Sequence, residues 1–105
     1  MSRTIKYPDD KARKTLLKIG LDAYFEYQIL WMLIHNDHCT VDDFRNTSKE
    51  NKYEGILEGV LRLNLGGLTR LGCIKKGREN KYKITKEGKK RIKLLETRHG
   101  YVRLY

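Results

Sequence analysis

Cysteine and proline are nearly missing from this chain of 105 residues, which holds only Cys39, Cys73 and Pro8 of the two. Nothing in it reads as an export signal, so two cysteines this far apart are expected as reduced core residues rather than a disulfide staple. A structural zinc site usually shows closely paired ligands such as C-x2-C. The chain has no such pair, although His35, His38, Cys39, Cys73 and His99 are metal-capable types. Long apolar runs are lacking too. The longest, Ile29 to Ile34, has six residues, against the ~20 a bilayer demands. The expectation is a cytoplasmic protein with no membrane partner. No glycine-rich phosphate loop or nucleophile motif occurs, so no enzyme, cofactor or small-molecule substrate is expected. Asp9-Asp10 and Asp42-Asp43 suit helix starts better than catalytic pairs.

Acids are scarce where bases are dense. From Arg70 to Tyr105 stand thirteen Lys and Arg residues against three acids, Glu79, Glu87 and Glu96. That excess of ten equals the whole net charge of +10, because residues 1–69 carry ten bases and ten acids. Charge segregated in this way is an electrostatic footprint, and a polyphosphate is its commonest partner.

At this length the chain has room for one domain, 1–105. Within it, residues to about 20 are expected as an N-terminal helical extension and about 96–105 as a tail. Pro8 followed by Asp9-Asp10 favours a helix over Lys11–Ile19, with Gly20 behind it. Asp22 is expected to cap a second helix running to about Asn36, whose face Ala23, Tyr27, Leu30, Ile34 keeps helical spacing. Its second half has no polar side. A helix apolar all round is buried on several sides, and so long a surface in so small a domain implies a second subunit. Thr40 with Asp43 approximates a capping box for a short helix, Val41 to about Asn46. From Thr47 to Tyr53 a helix and a turn are both open.

Leu57, Leu61, Leu65 and Leu68 form a leucine stripe on a further helix ending at Gly72. Gly55, Gly59, Gly66 and Gly67 interrupt it, which is tolerable where another surface approaches the backbone. Cys73–Lys76 and Lys81–Ile84 alternate apolar and cationic residues about Gly77-Arg78-Glu79-Asn80, the pattern of a β-hairpin. Thr85 caps a last helix to about Glu96. In it Ile92 and Leu95 face inward, and Lys89, Lys90, Arg91 and Lys93 spread over the rest. Tyr101–Tyr105 is left as a strand or docking tail.

The order helix, short helix, leucine-striped helix, hairpin, helix resembles the winged helix-turn-helix DNA-binding domains of MarR-like and PadR-like regulators. The residues that carry the resemblance are Leu65-Gly66-Gly67-Leu68-Thr69-Arg70-Leu71-Gly72-Cys73-Ile74 and Tyr82-Lys83-Ile84-Thr85-Lys86-Glu87-Gly88. It spans about Leu57 to Leu95, and more loosely the chain from Asp22. It implies a mainly α fold with a small hairpin wing (α+β), in which the leucine-striped helix enters the major groove. Outward positions there would be Glu58, Gly59, Arg62, Leu63 and Gly66. Arg62 would suit a guanine edge and Leu63 a thymine methyl. Glu54 and Glu58 depart from the pattern by placing negative charge near the docking end.

Arg70, Lys75, Lys76, Lys81 and Lys83 would serve the phosphates, and Arg78 at the wing tip a narrow minor groove. The function so implied is sequence-dependent binding of double-stranded DNA by a small transcriptional regulator, and the outer helices Lys11–Ile19 and Lys86–Glu96 with the apolar Ile29–Ile34 surface are expected to supply the contacts of a homodimer. Two rivals stay open. An RNA-binding winged helix would stack Tyr82, Tyr101 and Tyr105 on unpaired bases. A protein-interaction module would turn the basic face to an acidic partner.

Overall fold

The computed structural model describes residues 4–19, 21–46 and 58–102. The stretch from Thr47 to Leu57, with Glu54 and Gly55, lies outside them, as do Arg103 to Tyr105. The order is α1 (Asp10–Ile19), α2 (Leu21–His35), α3 (Val41–Arg45), α4 (Glu58–Arg70), β1 (Ile74–Lys76), β2 (Tyr82–Ile84) and α5 (Lys86–Val102). The chain is thus mainly helical with one two-stranded antiparallel hairpin.

Side-chain caps start three of the helices. The Asp9 carboxylate accepts the Ala12 N–H at 2.9 Å ahead of α1. At α3 the capping box closes in both directions: Asp43 N–H donates to Thr40 Oγ1 (3.3 Å) and Thr40 N–H to Asp43 Oδ2 (2.8 Å). Thr85 Oγ1 accepts the Gly88 N–H at 3.2 Å and opens α5. Each such cap is worth about 1 kcal/mol. Helix α2 starts at Leu21, so Asp22 lies within it rather than capping it, a shift of the size helix ends commonly show.

Helix α2 is the core. Tyr27, Ile29, Leu30, Trp31, Met32 and Leu33 are all buried, because α1, α4, α5 and β2 pack around it. Of the run Ile29–Ile34, part of which was expected to meet a second subunit, only Ile34, at 39% exposure, reaches the surface. Around it α1 contributes Ala12, Leu16 and Ile19, and α3 contributes Phe44. Helix α4 adds Leu61, Leu65 and Leu68, the hairpin Ile74 and Tyr82, and α5 Ile92. Arg91 does not join the solvated bases of α5. Its guanidinium pairs with the Glu26 carboxylate, tying α5 to α2, and that hydrogen bond raises the Arg91 pKa further.

Helix α4 ends in a Schellman motif. Gly72 is left-handed (φ 77°), Cys73 N–H donates to Leu68 O (2.9 Å) and Gly72 N–H to Thr69 O (3.0 Å). The hairpin follows in the register Ile74↔Ile84, Lys75↔Lys83, Lys76↔Tyr82. Its apex is not Arg78. Glu79 and Asn80, both with φ 58°, occupy it, and Lys81 N–H donates back to Arg78 O at 3.1 Å. Two left-handed central residues give the type I′ twist that a tight hairpin needs. A third stretch joins the ribbon: Cys39 and Tyr82 exchange backbone hydrogen bonds of 3.1 and 2.7 Å.

Helix α5 outruns its expected end near Glu96 and continues through Gly100 to Val102, so the strand or tail reading fails over Tyr101-Val102. The glycines of α4 also differ from expectation. Among the described residues nothing lies within 4 Å of a Cβ built on Gly59 or Gly67. The close approach is at Gly88, where a Cβ would stand 2.2 Å from Cys73 O and 2.6 Å from Ile84 Cγ1. Cys39 and Cys73 are buried as thiols, not joined in a disulfide, and burial pushes the Cys73 thiol pKa up.

In urea melts, Gly88→Ala is expected to lose about 1–3 kcal/mol through overpacking, whereas Gly67→Ala gains about 0.5–1 kcal/mol of helix propensity. Leu30→Ala should cost about 2–5 kcal/mol, and Ile34→Ala much less. Equal losses at Leu30 and Ile34 would contradict the single-chain burial of α2.

Candidate nucleic-acid interface

The hairpin and α4 do not merely adjoin. Together with the start of α3 they wall a cleft of about 780 Å³. Arg45, Arg62 and Lys76 enter it from three different elements, and Asp42, Glu79 and Asn80 complete its polar lining. Both acids are engaged by neighbouring bases. Asp42 accepts from Arg45 Nη1 at 2.6 Å and Glu79 Oε1 faces Lys81 Nζ at 3.2 Å. With three bases and two acids in its lining, the cleft is cationic by one charge.

Local rules explain the placement. Along a strand successive side chains point to opposite faces. Ile74 and Tyr82 turn inward, so Lys76 shares their side and reaches the cleft, while Lys75 and Lys83 occupy the outer face. Those two lysines stand directly opposite one another in the ladder. Like charges so placed destabilise a sheet by up to about 1 kcal/mol, a cost that a bound anion would relieve.

On α4, Arg62 is exposed and Leu63 is 75% exposed. The buried stripe Leu61, Leu65, Leu68 on the opposite side forces both outward. Arg70 sits in the last turn with its guanidinium folded back along the helix, Nη1 lying 3.7 Å from a Cβ built on Gly66. Gly66 itself lines the cleft, so Arg70 stands at the cleft margin.

The structure thus gathers Arg62, Lys76 and, at the margin, Arg70 about one hollow. Lys75 and Lys83 lie on the outer hairpin face. Arg78 and Lys81 flank the apex, with Lys81 held by Glu79. Leu63 is exposed but does not line the cleft. Arg45 is the residue that sequence reasoning missed. The signal was present, since Asp42 and Arg45 fall three apart on a helix that Thr40 phases. Among the described residues, no three His, Cys, Asp or Glu side chains gather as a metal site would require. No helix among them is long and apolar enough to cross a membrane.

Neither a protein family, nor a curated protein, nor a solved structure matches this chain.

Replacing Lys75 with threonine is expected to raise unfolding free energy by about 0.2–1 kcal/mol. The same change should lower the salt concentration at which the protein elutes from heparin. A stability loss on this substitution would mean that the paired lysines are not in conflict.

Proposed function

We propose that this chain is a winged helix-turn-helix protein that binds double-stranded DNA as a small transcriptional regulator. Helix α4 would lie in the major groove and the hairpin, as the wing, on the adjoining backbone. The observation that carries this reading is the convergence of Arg45, Arg62 and Lys76 on the cleft between α4 and the hairpin. A cationic hollow beside a projecting helix suits a phosphodiester strand passing between two supports.

The dimensions agree. Thirteen residues of α4 make a rod of about 20 Å, and a major groove about 12 Å wide admits one helix. Arg62 can donate two parallel hydrogen bonds to a guanine edge, and Leu63 beside it can cover a thymine methyl. The ammonium groups of Lys75, Lys76 and Lys83 neutralise phosphates without reading sequence. Glu79 at the apex works against deep insertion of the tip into a minor groove, so Arg78 serves the backbone in this reading.

The structure bears differently on the other expectations. Stacking of Tyr82 on unpaired bases, the ground for an RNA partner, conflicts with its 8% exposure and its packing against Phe44, ring centroids 6.3 Å apart. Tyr105 lies outside the described residues. Of the three surfaces expected to carry a homodimer, the apolar length of α2 is buried within one chain, whereas α1 and α5 keep Leu17 and Leu94 exposed. The DNA site proposed here is complete without a second copy.

Titration of a duplex across salt concentrations should give a log–log slope of about −0.9 per phosphate neutralised. Changing Lys75, Lys76 and Lys81 together to alanine is expected to flatten that slope. Arg62→Ala should instead narrow the gap between preferred and random duplexes by about 1–3 kcal/mol. A slope unmoved by the triple change would remove the hairpin from the interface.

A further inference from the structure

On the other side of α2 a second cavity, of about 560 Å³, opens between α1, α2 and α5. It shares no lining residue with the α4–hairpin cleft, and its size falls in the ordinary range for small-ligand sites. One wall is aromatic: Trp31 and His35 stack with ring centroids 3.8 Å apart and planes 18° from parallel. The imidazole is held in place by Nδ1, which lies 2.9 Å from the Trp31 carbonyl oxygen and donates to it. The floor is Tyr27, buried, with its hydroxyl donating to Glu96 Oε2 at 2.7 Å. Burial and the Glu96 carboxylate push the tyrosine pKa well up, so it stays a donor at every physiological pH. Lys89 and Lys93, one helical turn apart on α5 and both exposed, also line the cavity, with Lys11 contributed by α1.

This lining asks three things of an occupant. A planar ring is wanted by the exposed His35 imidazole, which Trp31, itself only 7% exposed, backs from the core. A compact anion of more than one charge is wanted by two ammonium groups spaced four residues apart, which repel each other when empty. Hydroxyl or amino donors are wanted by the carboxylates of Glu96 and Asp9, although Asp9 Oδ1 already takes the Ala12 N–H. A simple aromatic acid answers the first demand and half of the second, and it fills a small part of the volume. Inorganic phosphate answers only the second. A base, a sugar with free hydroxyls and a phosphate on one molecule answer all three.

We propose that the cavity between α1, α2 and α5 is a binding site for a free nucleoside monophosphate. The base stacks on the exposed His35 imidazole, which the buried Trp31 ring backs, the phosphate is held by Lys89 and Lys93, and ribose hydroxyls donate to Glu96. Base stacking on aromatic side chains is tolerant of base identity, so the site selects the nucleotide class before any one base. The inference stands apart from DNA binding, since the two sites use different residues.

Trp31 is the only tryptophan in the chain, so intrinsic fluorescence reports this cavity directly. Titration of the full chain with AMP, GMP, CMP and UMP in turn is expected to change that fluorescence saturably for at least one of them. The corresponding nucleoside, inorganic phosphate and benzoate should each bind roughly tenfold more weakly or worse, the worth of one lost charge-assisted contact. Lys89→Ala with Lys93→Ala, both surface changes that leave the core intact, should weaken the nucleotide by at least about tenfold. The hairpin variant lacking Lys75, Lys76 and Lys81 should bind it as the parent does. The proposal is overturned if none of the four nucleotides gives a saturable change at millimolar concentration. It is equally overturned if phosphate alone matches them, if the α5 double variant binds unimpaired, or if the hairpin variant loses the nucleotide instead.

Discussion

Between the end of α4 and the start of α5, the backbone carbonyls of Gly72 and Cys73 receive the hydroxyl and the amide of Thr85, at 2.5 and 3.0 Å. Those two hydrogen bonds clamp the base of the hairpin. Gly88 tightens the clamp by letting the first turn of α5 settle on Cys73 O, where any Cβ would collide. The hairpin therefore has no freedom to swing away from α4, and the Cys39–Tyr82 exchange holds its returning strand from the other side. The cationic cleft owes its existence to this fixation. A loosely tethered ribbon would carry the same lysines without holding Lys76 opposite Arg62 and Arg45.

The second constraint is the division of labour between α2 and everything around it. Its apolar circumference is satisfied by four neighbours, which leaves the rest of the chain free to carry charge. The excess cations collect on the hairpin and α5. The inner pair Arg91–Glu26 is spent on packing, while Lys75, Lys76 and Lys83 remain at the surface. Close like charges such as Lys75 and Lys83 make sense energetically as a site that an anion completes.

Much of this was legible before any coordinates. The stripe Leu61, Leu65, Leu68, the Thr40–Asp43 box, the Thr85 cap and the alternation of Ile74, Tyr82 and Ile84 with lysines are local patterns. Local patterns report helix phase and strand face directly. What escaped was non-local or conformational. The all-round apolarity of Ile29–Ile34 states that the helix is buried, but not whether its own chain or another copy buries it. The Cys39–Tyr82 bridge joins residues with no shared periodicity. The left-handed Glu79 and Asn80 put an acid where an arginine tip was expected, because glutamate gives no sign of a positive φ, although asparagine favours it. Gly88 and the α4 glycines look alike in sequence, yet only Gly88 has a backbone atom against it. Arg45 was overlooked because its helix is short and its partners lie in α4 and the hairpin.

The central claim is that α4, the start of α3 and the hairpin act as one surface for a nucleic-acid backbone. Backbone amide shift mapping during titration with a short duplex addresses it most directly. The account predicts that the largest perturbations fall at Arg45, Arg62, Leu63, Lys76 and Arg78, with the outer turns of α1 and α5 little affected. Perturbations concentrated along Lys89 and Lys93, with the cleft residues unmoved, would contradict it.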